Sequence, residues 1–122
     1  MLTPRVALAV VLAGMAGTIA NSVVVAVALG IEVIPLTISP GRNLVAIAVA
    51  CALPILFHRV GGIAAWVAGL AFLTVVPSVL AKLVFGVGAA WPFVLAVNGV
   101  YAIAATAVFV AIAGPGRAAT KI

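Results

Sequence analysis

The stretch Phe57-His58-Arg59-Val60-Gly61-Gly62-Ile63 decides the fold, because it joins two long apolar runs through a very short link. One run covers residues 40–59 and the other covers residues 63–85. Each is close to the length of about 20 apolar residues that an α-helix needs to cross a bilayer. Two spans with so short a link lie side by side and antiparallel. The stretch therefore predicts a transmembrane helical hairpin.

Two further apolar runs flank this hairpin, at residues 6–29 and 92–113. The second of the four spans is counted from Pro40, because Ser39 is a favoured N-cap residue and proline is favoured at the first helical position. The first run is longer than the apolar core of a signal peptide, which predicts a retained span. Residues 1–122 are then a single all-α domain: a polytopic membrane protein with a four-transmembrane-helix bundle and short loops.

The composition agrees with a membrane location. Hydrophobic residues make up 68% of the chain and charged residues 6%, whereas soluble domains carry about 25% charged residues. The basic residues are scattered singly, so nucleic-acid binding is not expected despite a pI of about 10.9. The one cysteine, Cys51, lies in an apolar run and is expected to be a small buried residue.

The positions of lysine and arginine predict the orientation. With four spans, both termini lie on one side of the membrane, together with the larger share of basic residues, and an excess of this kind marks the cytoplasmic side. We therefore expect the cell (inner) membrane, with both termini cytoplasmic. The basic residues on the side of the termini are Arg5, Arg59, Arg117 and Lys121, and those on the opposite side are Arg42 and Lys82.

The only acidic residue, Glu32, lies in the longest link, around residues 30–39. Pro35 interrupts any helix there, so we expect an extended or irregular segment at the outer membrane interface. Two interpretations stay open. The link is a plain connector, with Glu32 solvated or paired to Arg42, and an exposed pair of this kind contributes about 0–1 kcal/mol. Alternatively it is a lid or docking strip, with Glu32 and Arg42 as its outer-loop contacts.

Polar residues inside the spans are the best pointers to function. In the predicted topology six of them fall in the outer half of the bilayer, where they form one candidate cluster. They are either interhelical hydrogen-bonding residues, worth about 0.6 kcal/mol each, with the lysine reaching the headgroups, or the lining of an outward-facing cavity for a small molecule or anion. The cluster comprises Asn21, Ser22, Thr74, Ser78, Lys82 and Asn98.

The chain offers little for catalysis. Ser78 and Lys82 are spaced i, i+4 and so share a helix face, which would suit a Ser/Lys dyad. This spacing is common, and a single acidic residue excludes paired carboxylates, so no enzyme is expected. No cofactor and no metal are predicted. His58 is interpreted as an interfacial turn residue, with a haem or chlorophyll ligand in a complex as the alternative.

Small residues recur every four positions at Gly61, Ala65 and Gly69. Such stripes let helix backbones approach closely in lipid. The stripe is therefore a candidate packing surface, either within the chain or between copies in a homo-oligomer.

Three features resemble small, uncharacterised four-helix membrane proteins of high-GC bacteria: the basic start at Arg5, the segment Leu36-Thr37-Ile38-Ser39-Pro40-Gly41, and Pro77-Ser78 in the third span. The resemblance covers most of the chain and implies no activity, since such families have none assigned. The chain does not resemble the small multidrug exporters, which carry a carboxylate in the middle of the first span. It also lacks the Arg-Tyr and Thr-Thr-Phe motifs of the fluoride channels.

The sequence favours a non-catalytic integral membrane protein, an accessory or assembly subunit that packs against a larger membrane complex. The alternative is a small oligomeric transporter or channel, with Asn21, Lys82 and Asn98 lining an outward-facing polar cavity. Convergence of these three side chains within the bundle would favour transport. The expected partners are the lipid bilayer and either another membrane protein or further copies of the chain.

Overall fold

The computed structural model describes residues 3–60, 62–86 and 88–113, and this part of the chain consists of helices joined by short links, with no strand. Four stretches are long and apolar enough to cross a membrane: Pro4–Leu29, Pro40–Arg59, Gly62–Val84 and Trp91–Ala113. The predicted all-α four-helix bundle is confirmed, and it fits a multi-pass membrane protein. The elements are α1 (Pro4–Leu29), α2 (Val33–Thr37), α3 (Pro40–Ala50), α4 (Ala52–Arg59), α5 (Gly62–Val79), a π-helical turn (Leu80–Val84) and α6 (Trp91–Ala113).

The four spans alternate in direction. The start of the first span meets the end of the fourth, where Arg5 Nε donates to the carbonyl of Ile112 at 2.6 Å. The first span also packs against the second, and the third packs against both the fourth and the second. We name the two ends of the bundle by their arginines: the Arg42 end, where α3 begins, and the Arg59 end, where α4 ends.

Capping residues fix where the first two spans begin. Thr3 accepts a hydrogen bond from the N–H of Val6 at 3.1 Å, ahead of Pro4 at the first helical position. Ser39 likewise accepts from the N–H of Arg42 at 3.5 Å, ahead of Pro40. Each hydroxyl satisfies one of the N–H groups that a helix start leaves without a partner.

Proline residues lie near the irregular turns of the second and third spans. Pro54 has no N–H to bond the carbonyl of Ala50, and α3 gives way to α4 at Cys51. The expectation that Cys51 is buried is wrong: the thiol is exposed at this interruption, and its apolar character suits an outward-facing position. Pro77 lies inside α5, and the π-helical turn follows it.

The link between the first two spans is more ordered than predicted. Residues Val33–Thr37 form the short helix α2, so the expectation of an extended or irregular segment is wrong there. Pro35 is compatible with α2 because it lies in the first turn, where N–H groups have no helical partner. Asn43 Nδ2 donates to the carbonyl of Thr37 at 2.8 Å and ties α2 to α3.

Large side chains fill the Arg59 half of the bundle. Phe57, Phe109, Leu53 and Leu73 are fully buried there. The rings of Phe57 and Phe109 lie 5.6 Å apart between centroids, and the ring of Trp66 meets Phe57 edge-on at 6.4 Å. Aromatic pairs in such tilted geometries stabilise beyond their buried area. The densely packed part of the core is therefore at this end.

Glycines on α1 bring the neighbouring spans unusually close. A Cβ at Gly14 would lie 2.5 Å from Ile47 Cγ1 and 2.7 Å from Ile47 Cα, and one at Gly17 would overlap the ring of Tyr101 at Cδ1. Of the predicted stripe, Ala65 and Gly69 are buried inside the bundle, and Gly69 faces Leu53. These two therefore pack within the chain, and Gly61 lies outside the described residues.

Candidate functional site: a polar network and cavity at the Arg42 end

Arg42 connects the second span to the first through its side chain. Its Nη2 donates to Asn21 Oδ1 at 2.7 Å and to Ser22 Oγ at 3.0 Å. The Asn21 amide continues toward the fourth span, where its Nδ2 donates to the carbonyl of Val97 at 2.9 Å and to Asn98 Oδ1 at 3.3 Å. Asn21 and Ser22 are buried, on the side of α1 that faces the other spans.

The same hydrogen bonds continue into the third span. Asn98 Nδ2 donates to Ser78 Oγ at 3.0 Å, and the Ser78 hydroxyl donates to the carbonyl of Thr74 at 2.6 Å. All four spans are therefore connected by one polar network, which we define as Arg42, Asn21, Ser22, Asn98 and Ser78. Four of the six residues that the sequence grouped together belong to it, and Thr74 takes part through its backbone.

The different roles of Ser78 and Thr74 give a testable contrast. Ser78→Ala should lower the free energy of unfolding by about 1 kcal/mol, because the Asn98 amide loses its acceptor inside the bundle. Thr74→Val removes a hydroxyl but keeps the carbonyl that Ser78 uses, so its effect should be under about 0.5 kcal/mol. Equilibrium unfolding of both purified variants in mixed detergent and SDS micelles measures the difference. Equal losses would contradict this assignment.

Lys82 does not belong to the polar network. Its Nζ donates to the carbonyl of Ala89 and lies 5.8 Å from the centroid of the Trp91 ring, a distance typical of a cation–π contact. The i, i+4 argument that paired it with Ser78 fails, because the π-helical turn that starts at Leu80 changes the angle between successive residues. No Ser78–Lys82 hydrogen bond forms between these described residues.

Arg42 is not an outer-loop contact of Glu32. It lies in the first turn of α3, where its Nη2 donates to the buried Asn21 and Ser22 and its Nε donates to the carbonyl of Leu36 in α2 at 3.1 Å. Glu32 is exposed and makes no capping hydrogen bond at the start of α2. Among the described residues, every hydrogen-bond partner of the guanidinium is therefore neutral, and Nη1 donates to none of them.

A cavity of about 620 Å³ opens beside the polar network, within the range of about 300–1,000 Å³ typical of ligand sites. All four spans contribute to its wall. Arg42 and the asparagines form a polar part, and side chains of the second and third spans form an apolar part. The lining residues are Thr18, Asn21, Ser39, Gly41, Arg42, Leu44, Val45, Ala46, Pro77, Ala81, Phe85, Asn98 and Tyr101.

A scan against models of protein families, a search of curated proteins and a search of solved structures gave no significant match to this chain.

The wall chemistry suits binding of an anion better than acid–base chemistry. The cavity lining holds one guanidinium and no carboxylate, imidazole or thiol among the described residues. Guanidinium groups form strong charge-assisted hydrogen bonds with oxyanions. No group of three metal-ligating side chains occurs in the described part of the chain. His58 lies half-buried in the last turn of α4, at the other end of the bundle.

Arg42 and Tyr101 are two of the several cavity residues that the sequence did not assign to a cavity. Arg42 was assigned to the loop, although Pro40 already put it in the first helical turn of the span. That position was the available signal for an inward-facing arginine. Tyr101 is buried, and its hydroxyl donates to the carbonyl of Ala46 at 2.6 Å. Nothing in the sequence shows which face of α6 meets α3, so this contact had no comparable signal.

Proposed function

We propose that this chain is an integral membrane protein that binds an anionic ligand in the cavity at the Arg42 end. One observation carries the proposal: Arg42 lines the cavity while its partners among the described residues are all neutral. A charged group in partly buried surroundings is costly unless an opposite charge accompanies it. An anion in the cavity would supply that charge and accept hydrogen bonds from Nη1.

The start of α3 adds a second donor. Gly41 lines the same cavity, and its N–H has no hydrogen-bond partner among the described residues. Free N–H groups at a helix N-terminus, together with the helix dipole, favour anions. Glycine has no side chain that could cover this amide. The Gly41 N–H and the Arg42 guanidinium thus both favour a negatively charged ligand.

The filled core at the other end supports binding rather than passage. The cavity lies at the Arg42 end, and Phe57, Phe109 and Leu53 are fully buried between it and the Arg59 end. Asn21 and Asn98 converge as the transport hypothesis requires, but Lys82 lies outside their network. A transport cycle would need these large side chains to move apart, whereas binding needs no such change.

The location and orientation remain proposals. Arg5 and Arg59 lie at the Arg59 end, and Arg117 and Lys121 follow the fourth span in the sequence, whereas the other end has Arg42 and Lys82. By the positive-inside tendency, this excess supports the proposal of an inner-membrane protein with the Arg59 end cytoplasmic. The cavity would face the outer leaflet. The accessory-subunit hypothesis stays a prediction, because exposed apolar residues such as Ile63 and Val67 are equally suited to contact with lipid.

Binding of inorganic phosphate to the purified chain in detergent tests the proposal. The phosphate-dependent rise in the unfolding temperature, at constant ionic strength, gives the dissociation constant. Arg42→Met should raise that constant at least tenfold, because it removes a charge-assisted hydrogen bond worth about 1.5–3 kcal/mol. Arg42→Lys keeps the charge and should retain part of the affinity.

Lys82→Met is the matched control. It removes the same charge from the same end of the bundle but leaves the cavity wall intact, so we expect less than a twofold change in the dissociation constant. Equal weakening in the two methionine variants would mean a nonspecific charge effect. Absence of phosphate binding to the unsubstituted chain would overturn the proposal.

A further inference from the structure

We propose that the anion is the head group of a lipid-like amphiphile, which enters the cavity sideways from the bilayer, between the second and third spans. This inference rests on the proposed function, since it places the anionic group at Arg42. It adds an apolar chain to the ligand and names the route of entry. The observations that carry it are the composition of the cavity wall, its mouth and its depth.

The wall divides into a polar part and an apolar part. The apolar part consists of Val45 and Ala46 on the second span, facing Pro77 and Ala81 on the third. An inorganic ion would leave this surface without a partner, whereas an acyl chain would cover it.

The mouth of the cavity is apolar as well. Leu44 on the second span is 70% exposed and Phe85, just beyond the third span, is 62% exposed, yet both line the cavity. Side chains that are both exposed and part of the wall lie at its opening. In a membrane the neighbours of such side chains are lipid chains. The opening between these two spans is thus suited to an apolar ligand coming from the bilayer.

Along the second span, polar residues at the membrane surface are followed by apolar residues deeper in the bilayer, which is the order of head group and acyl chain in a lipid. Ser39, Gly41 and Arg42 lie at the start of the span, where headgroups would be, and Ala46 lies about 6 Å deeper by helical rise. The polar groups at this depth are already satisfied. Thr18 donates to the carbonyl of Gly14 at 3.0 Å and Tyr101 to that of Ala46 at 2.6 Å. The deeper part of the cavity thus presents no free donor to an apolar chain.

Three probes separate the contributions of head and chain. Inorganic phosphate carries the charge alone, monomyristoylglycerol carries the chain alone, and myristoyl lysophosphatidic acid carries both. Binding of each to the purified full-length chain in detergent is measured from the shift in unfolding temperature, with native mass spectrometry to count bound lipid. We expect phosphate to bind measurably, and one lysophosphatidic acid per chain to bind at least tenfold more tightly than phosphate or monomyristoylglycerol.

Each other outcome overturns a stated part of the argument. If phosphate and lysophosphatidic acid bind equally well, the site binds anions and the amphiphile proposal fails. If monomyristoylglycerol binds as tightly as lysophosphatidic acid, the charge is irrelevant and the proposed function fails too. If none of the three binds, both proposals fail.

A variant of the wall tests the route without touching Arg42. Ala81→Phe places a large side chain between the second and third spans and should weaken lysophosphatidic acid binding at least tenfold. Phosphate binding should change less than threefold. Leu83→Phe is the control, since Leu83 is exposed and lies outside the cavity wall. If Ala81→Phe leaves lysophosphatidic acid binding unchanged, the chain does not occupy this gap.

Discussion

Gly14→Ala should lower the free energy of unfolding by about 1–3 kcal/mol, as overpacking of a closely packed core does. The added Cβ would lie 2.7 Å from Ile47 Cα and 2.8 Å from Ile47 N. Those are backbone atoms, which cannot rotate away, so the first and second spans must separate. The measurement is equilibrium unfolding of the purified chain in mixed detergent and SDS micelles.

Gly99→Ala is the matched control for this prediction. A Cβ at Gly99 would have Thr74 Oγ1 at 4.0 Å as its nearest neighbour, an ordinary contact distance. Alanine in a helix interior is also favoured over glycine by up to about 1 kcal/mol. We therefore expect unchanged or slightly higher stability. Similar losses from the two alanines would show that close packing at Gly14 does not limit the approach of the spans.

Asn21→Leu should have the largest effect of any substitution in the polar network. Leucine is similar in size, but it removes the acceptor for Arg42 Nη2 and both donors toward the fourth span. With about 0.6–1.7 kcal/mol for each interhelical hydrogen bond, we expect a loss of about 2–4 kcal/mol in the free energy of unfolding. The same micelle unfolding experiment measures it.

Ser22→Ala is the appropriate comparison for Asn21→Leu. Ser22 accepts one hydrogen bond from Arg42, at 3.0 Å, and Asn21 would still hold the guanidinium. The expected loss is under about 1 kcal/mol. If the serine variant were as unstable as the leucine variant, the network would depend on Arg42 alone and not on the bridge that Asn21 makes to the fourth span.

The spans were predictable from sequence because their signal is long. The second span, 40–59, has the predicted limits, and the other three differ from the predictions by at most two residues at either end. A run of about 20 apolar residues permits few alternatives in a bilayer. The N-cap at Ser39 was also predictable, because the N–H that it accepts from belongs to Arg42, only three positions along the chain.

The site was less predictable because it depends on how the helices are rotated. Asn21, Ser78 and Asn98 were grouped by depth alone, and the structure brings them together. Depth also placed Lys82 with them, but the π-helical turn directs it to Ala89 and Trp91. Charge made Glu32 one of the alternatives for the partner of Arg42, whereas the shortest hydrogen bond from Arg42 to a side chain goes to the neutral Asn21.

The π-helical turn changes which face of the third span each residue after it occupies. A ring closed from Phe85 N–H to the carbonyl of Leu80 holds one residue more than the ring of an α-helical turn. The side chains before and after the turn are therefore out of phase with a single continuous α-helix. Ser78 can contact the fourth span through Asn98 while Phe85, beyond the turn, lies at the mouth of the cavity. Comparing related chains position by position across this turn would require a gap of one residue wherever a relative has a plain α-helix.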